Sequence, residues 1–126
     1  MKKIKAQIKK WLEKILETET ISNDIFTLNF GLQKTAFAYE AFISGHQSYF
    51  DEHDTWLLDI TYEPDNNFIS LGKDSLKYSE KEMFEIYKKI VTDFLKTNIS
   101  RFPSQIKYYT CEYPFGEPEL IMKNEK

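Results

Sequence analysis

The sequence predicts a single α+β domain in which an antiparallel sheet of about five strands carries two helices on one face. Three observations support this fold class. Two segments, 2–18 and 79–98, repeat apolar residues at three- and four-residue spacing, which is typical of amphipathic helices. Several shorter segments alternate apolar and polar residues, as half-buried strands do. Most connections between them are short, and short connections favour antiparallel pairing.

The chain is predicted to form one domain over residues 1–126. A chain of 126 residues can bury a sizeable core, and no linker, internal repeat or low-complexity run divides it. Cys111 is the only cysteine and cannot form an internal disulfide. The first residues lack the apolar run of a signal peptide, and no segment is apolar enough to span a bilayer. These features predict a cytoplasmic protein that does not associate with a membrane.

The second predicted helix has the clearest boundary in the chain. Ser79 and Glu82 have the spacing of a capping box, in which each side chain satisfies a backbone N–H at the helix start. The first predicted helix has an apolar stripe and six lysines among its first fourteen residues. A basic amphipathic helix can contact an anionic membrane or nucleic acid. Packing against a sheet requires such a stripe in any case, and lysine stems commonly cover its edges, so we favour packing.

The strands are predicted from the two-residue period. They cover approximately residues 24–30, 35–43, 56–62, 68–71, 105–113 and 119–122. A turn at 31–34 is predicted to join the first two strands into a hairpin. The turn-forming residues 64–67 are predicted to return the fourth strand against the third.

A polar connector between the second and third predicted strands contains both histidines, His46 and His53, with three carboxylates between residues 51 and 54. Imidazole and carboxylate groups are natural ligands of divalent metals. The spacing of these residues matches no metal motif, and a solvated loop explains them more simply. The sequence therefore predicts neither a metal nor a cofactor.

Other candidate catalytic groups are equally unspecific. Cys111 lies within a predicted strand, without the neighbouring base or helix start that activates a thiolate. Asp59 with Glu63 or Glu40 could act as a carboxylate pair, but nothing in the sequence places them in a pocket. Four glycines leave little material for a phosphate-binding loop. We therefore predict that the chain is not an enzyme.

The charge distribution is the most informative functional signal. Between Lys34 and Lys73 the chain has no lysine or arginine and seven acidic residues, whereas the whole chain has a net charge of −3. The remaining segments therefore sum to +4. Aromatic residues are interleaved with the acids in this basic-free stretch. A concentrated negative surface attracts a cationic partner and repels nucleic acid, and tyrosine and tryptophan are effective interface anchors.

The compact α+β layout, the run Tyr49-Phe50-Asp51-Glu52-His53-Asp54-Thr55-Trp56 and the ending Tyr113-Pro114-Phe115-Gly116-Glu117-Pro118-Glu119-Leu120-Ile121 are the features that carry a family resemblance. Through them the chain loosely resembles the small acidic immunity proteins of bacterial polymorphic-toxin and contact-dependent inhibition systems. That resemblance implies a cytosolic protein that blocks a cognate, often basic, nuclease toxin by covering its active site.

The leading hypothesis is a non-catalytic inhibitor that binds a basic protein, such as a toxin domain, and does not bind nucleic acid directly. The predicted partner-binding residues are Asp51, Glu52, Asp54, Asp65, Tyr49 and Trp56. Two alternatives stay open. One is a small enzyme or ligand-binding domain with a pocket on the sheet, rimmed by His46 and His53. The other is an oligomerising module in which residues 115–122 pair with a second chain.

Overall fold

The computed structural model describes residues 2–47, 60–62, 68–113 and 118–124, with the backbone alone for 60–62. Its elements in chain order are α1 (Lys2–Thr18), β1 (Thr27–Lys34), β2 (Tyr39–His46), β3 (Ile60–Tyr62), β4 (Phe68–Ser70), α2 (Glu80–Asn98), β5 (Tyr108–Glu112) and β6 (Glu119–Lys123). Short 3₁₀ helices, Lys73–Lys77 and Ile99–Arg101, precede and follow α2. The predicted α+β class is confirmed.

Both predicted helices are present, and the start of α2 has the predicted capping box. The Glu82 backbone N–H donates to the Ser79 hydroxyl at 3.2 Å, and the Ser79 N–H donates to the Glu82 carboxylate at 3.0 Å. The bond from the Ser79 N–H, together with the nearby Ser79 hydroxyl, also lowers the pKa of Glu82, because both groups stabilise the charged carboxylate. Two backbone donors that α2 cannot satisfy internally are thereby paired.

Replacing Ser79 by alanine should destabilise the protein by about 1 kcal/mol, because the N–H of Glu82 loses its acceptor. The free energy of unfolding in urea measures this effect. Ser100→Ala is a suitable control, since Ser100 is also exposed but caps no long helix. Equal stabilities of the two variants would contradict a stabilising role for the cap.

The sheet has the strand order β3-β2-β1-β5-β6, with β4 also paired to β2. Its centre differs from the expectation of an antiparallel sheet, because β1 and β5 are parallel, with Leu28 opposite Tyr109 and Phe30 opposite Cys111. The other described pairs are antiparallel. The difference has a topological reason: α2 lies between β4 and β5, and a helical crossover permits parallel pairing that a short turn does not.

Strands β3 and β4 lie along the same side of β2, which corrects the predicted hairpin between them. Tyr62 pairs with Gly45, and Phe68 pairs with Phe42. Both strands therefore run antiparallel to β2, one after the other along its length. Among the described residues, the strand that pairs with β4 is β2 and not β3. Residues 63–67, where the turn was predicted, lie outside the described residues.

The β1–β2 hairpin turns four residues later than predicted. The strand β1 continues to Lys34, and the Thr35 hydroxyl accepts hydrogen bonds from the N–H groups of Phe37 and Ala38, both at 3.1 Å. A threonine that satisfies local N–H groups forms a compact turn without glycine. The strand β2 correspondingly extends to His46, which was predicted to lie in the polar connector.

One hydrophobic core lies between the sheet and the helices. Alternate residues of β1 and β5 face it, and both helices contribute their apolar stripes, as predicted. Its central members include Leu28, Phe30, Tyr109, Cys111, Ile8, Leu12, Tyr87 and Val91. The other sheet face carries Asn29, Phe42, Ser44 and Thr110, and the candidate surface is built there.

Candidate protein-binding surface

The six predicted partner-binding residues, Asp51, Glu52, Asp54, Asp65, Tyr49 and Trp56, all lie outside the described residues. Of the carboxylates weighed for catalysis, Asp59 and Glu63 also lie outside them, as does His53. The two acidic segments, residues 48–59 and 63–67, therefore lie outside the described residues, and the structure describes the sheet residues that flank them.

The described residues that flank the two acidic segments lie along β2. His46, two residues before the first segment, is aligned with Ile60, the residue just after it. The second segment is bounded by Tyr62 and Phe68, which are also both aligned on β2. Six of the seven acids in the basic-free stretch belong to these two segments, and the described residues that flank the segments lie along one edge of the sheet. The lysine-rich helix α1 packs on the opposite, apolar face.

Two aromatic rings extend from this edge of the sheet, on β4, across β2 toward β1. Phe68 is 57% exposed and lies opposite Phe42, which is half-buried and lies opposite Gly31 on β1. A β-carbon added at Gly31 would overlap the Phe42 ring, so the glycine makes room for that ring to lie across β1. We call Phe42 and Phe68 the phenylalanine strip. A partially exposed pair of rings is the kind of surface that protein partners bury.

Glu40, which the structure describes, places a negative charge on β2 beside the phenylalanine strip. It is half-buried, and its carboxylate accepts a hydrogen bond from the Gln33 side-chain amide at 3.0 Å. Its strand neighbour on β4 is Ser70. The bond from Gln33 orients the carboxylate without neutralising it, so Glu40 remains available for a cationic group on a partner.

A buried polar row supports the strip from the centre of the sheet. Asn29 is 1% exposed; its amide nitrogen donates to the Glu112 carboxylate at 2.8 Å, and its oxygen accepts from the Thr110 hydroxyl at 2.8 Å. Both bonds join β1 to β5, the parallel pair. Because buried polar groups are costly when unpaired, this row fixes the alignment of the two central strands.

His46 has a structural role in the described residues. It is fully buried in β2, and its Nε2 lies 2.8 Å from the Ser44 hydroxyl on the same strand. No group of three metal-ligating side chains occurs among the residues that the structure describes.

Cys111 is buried in β5, as a packed residue and not as an exposed nucleophile. Burial raises the pKa of its thiol far above the ordinary value, and the nearby Glu119 carboxylate raises it further. The neutral thiol is therefore strongly favoured at physiological pH, whereas a nucleophilic cysteine requires the thiolate.

The sequence pattern places aromatic residues among the acids of the basic-free stretch, and Phe42 is one of them, but it does not predict the phenylalanine strip. Phe42 on β2 is aligned with Phe68 on β4. This alignment arises because β4 pairs with β2, whereas the sequence predicted that β4 pairs with β3. The available signal was Gly31, since a glycine inside a strand often marks a close approach by another group.

No protein-family model, curated protein or solved structure matches this chain. Neither of the two described helices is long and apolar enough to cross a lipid bilayer.

Proposed function

We propose that the chain is a non-catalytic, cytoplasmic inhibitor that binds a protein, and specifically an immunity protein that neutralises a basic, nuclease-type toxin. The observation that carries the proposal is that the residues flanking the basic-free acidic segments lie along the sheet edge where Phe68 is 57% exposed. Negative charge accelerates encounter with a basic protein, and an exposed aromatic ring provides area that a partner can bury.

The geometry also suggests how inhibition would work. A basic nuclease uses cationic side chains to hold phosphates, and an acidic segment competes for the same groups. The phenylalanine strip would add contacts that nucleic acid does not make. The inhibitor would therefore act by occupying the toxin's substrate site, and nucleic acid would compete with it for the toxin.

Affinity capture with the purified chain tests the proposal. At low salt, the expected result is a basic protein recovered in stoichiometric amount from a lysate of the native cells. Raising the salt to several hundred millimolar should release it, because salt screens exposed charges. Capture of no basic protein under either condition would contradict the proposal.

Truncating Phe68 to alanine should weaken binding of the captured partner by about tenfold or more, because an interface ring near the centre contributes more than 1 kcal/mol. Phe37→Ala is the matched control: Phe37 is 82% exposed at the tip of the β1–β2 hairpin and lies outside the strip. Isothermal titration calorimetry gives both affinities. An unchanged affinity of Phe68→Ala would remove the phenylalanine strip from the interface.

A specific observation favours oligomerisation as a second candidate function. In the described residues β6 is the last strand of the sheet, and Leu120 on this strand is 42% exposed. An edge strand with an exposed apolar residue can pair with a second chain. Light scattering distinguishes the candidates, since an oligomerising module gives a multiple of 15.0 kDa without any partner.

A further inference from the structure

A groove runs along α1, on the side of the helix that faces β4 and the 3₁₀ helix Lys73–Lys77. Two cavities follow one another there. The first, about 200 Å³, lies between the start of α1 and residues 71–77, and the second, about 270 Å³, lies between the middle of α1 and Ile69 with Ser70. Lys3 and Lys14 mark the two ends on α1, about 16 Å apart along the helix axis. We call this region the α1 groove.

The α1 groove combines an apolar floor with a cationic rim. Ile4 and Trp11 of α1 and Leu71 opposite are each at most 4% exposed. The rim carries the lysines Lys3, Lys10, Lys14, Lys73 and Lys77. Asp74 is the one acidic residue in the lining, so five positive charges less one negative charge leave +4.

These rim charges are not neutralised within the described part of the chain. The ion pairs found there involve Lys88, Lys89 and Arg101, and none of them involves a rim lysine. Lys77 instead lies over the Tyr78 ring, with its ammonium 5.3 Å from the ring centre. Within the described residues, the positive potential of the groove is therefore not cancelled by ion pairs and can attract an anionic ligand.

Gln7 indicates which kind of anion fits. This residue lines the second cavity, and its Oε1 atom is buried without a hydrogen-bond donor among the described residues. A buried acceptor of this kind is satisfied by an N–H or O–H group. A polypeptide backbone offers an N–H at every residue except proline, whereas inorganic phosphate and a phosphodiester backbone are dominated by acceptors.

The outer edge of β4 offers further backbone partners. The Leu71 N–H donates to the Tyr39 carbonyl at 2.9 Å, so residues 69 and 71 direct their backbone groups toward β2. By the alternation of antiparallel pairing, the backbone groups of Ser70 point away from β2. An extended peptide alongside β4 could therefore bond to both this strand and Gln7.

We propose that the α1 groove binds an extended acidic segment of a protein partner, with an apolar side chain on the floor beside Trp11 and carboxylates on the rim lysines. This site shares strand β4 with the edge that carries the phenylalanine strip but is formed with α1, and it does not depend on the proposed function. It would give the chain two binding surfaces of opposite charge, one for a basic protein and one for an acidic peptide.

The test uses the intact chain and a fluorescein-labelled peptide of about eight residues, composed of glutamate with one leucine and one phenylalanine. Fluorescence anisotropy should show saturable binding, and a peptide with lysine in place of glutamate should not bind. The charge-reversed variant K10E/K14E should bind the acidic peptide at least about tenfold more weakly. The control K81E/K96E makes the same charge change at exposed positions of α2 and should bind like the unmodified chain.

Gln7→Leu separates hydrogen bonding from charge. It removes the acceptor but no charge, so it should weaken peptide binding about threefold to tenfold. Thermal melts confirm that each variant is folded. The proposal is overturned if the acidic peptide does not bind at about 1 mM, if K10E/K14E binds it like the control, or if a single-stranded oligonucleotide or inorganic phosphate binds in the groove more tightly than the peptide.

Discussion

Replacement of Asn29 by alanine is expected to destabilise the protein by about 2–3 kcal/mol, the largest effect on stability among the changes considered. Asn29 is 1% exposed and makes two side-chain bonds to β5, one to Thr110 and one to Glu112. Its removal leaves the Thr110 hydroxyl without its acceptor and takes one donor from a part-buried carboxylate. Urea unfolding at neutral pH gives the magnitude.

Two further variants test whether hydrogen bonding is responsible. Asn23→Ala makes the same chemical change at an exposed position and should alter stability by less than about 0.5 kcal/mol. Asn29→Asp keeps the shape but places a second carboxyl beside Glu112. If Asn29→Ala were as stable as Asn23→Ala, the polar row would not hold β1 against β5.

The stability of Asn29→Asp should also depend on pH in a defined direction. The introduced carboxyl is buried beside a carboxylate, and both effects raise its pKa in the folded state above the unfolded value of about 3.9. A group with a raised acid pKa binds more protons in the folded state. The variant should therefore lose stability relative to the unmodified chain as pH rises above about 4. Urea unfolding at pH 4 and pH 7 measures the difference.

The largest expected effect on function comes from neutralising four acidic side chains together: Asp51→Asn, Glu52→Gln, Asp54→Asn and Asp65→Asn. This change moves the net charge from −3 to +1. Affinity for the captured basic partner should fall about 100-fold at low salt, because each lost charge weakens steering and removes a complementary contact. Most of the loss should appear as slower association, which stopped-flow mixing resolves.

The matched control neutralises four exposed acids of the helices: Glu17, Glu80, Glu85 and Asp93. It makes the same change in net charge away from the sheet edge. If the control weakened binding as strongly as the first variant, net charge alone would explain the affinity, and the acidic segments would have no special role.

The helices were predictable because their signals are local. The apolar spacing located α1 at Lys2–Thr18, and Ser79 with Glu82 marked the start of α2. Both signals depend on contacts within one or two turns, and the sequence states them directly.

The strand pairing was less predictable because it depends on distant residues. The two-residue period identified the strands, but β1 pairs in parallel with β5, about eighty residues later, and Phe68 pairs with Phe42. A period of two reports which residues share a face and says nothing about the neighbouring strand. The β1–β2 turn was misplaced for a different reason: Thr35 builds it with its hydroxyl, and no glycine or proline marks it.

The candidate surface was partly predictable. The charge pattern identified the acidic stretch from composition alone, and the structure shows that the residues flanking its two segments lie along β2. The phenylalanine strip and the α1 groove arise only when β4 is placed beside β2 and close to α1. No local pattern in the sequence reports that arrangement.

The most direct test of the proposed function is a titration of the captured partner's nuclease activity with the purified chain. The expected result at low salt is a linear loss of activity that is complete at one chain per partner, with a large excess of nucleic acid restoring the activity. The four-acid variant should require about 100-fold more protein for the same loss. A partner that keeps its full activity while saturated with the chain would contradict the inhibitor function.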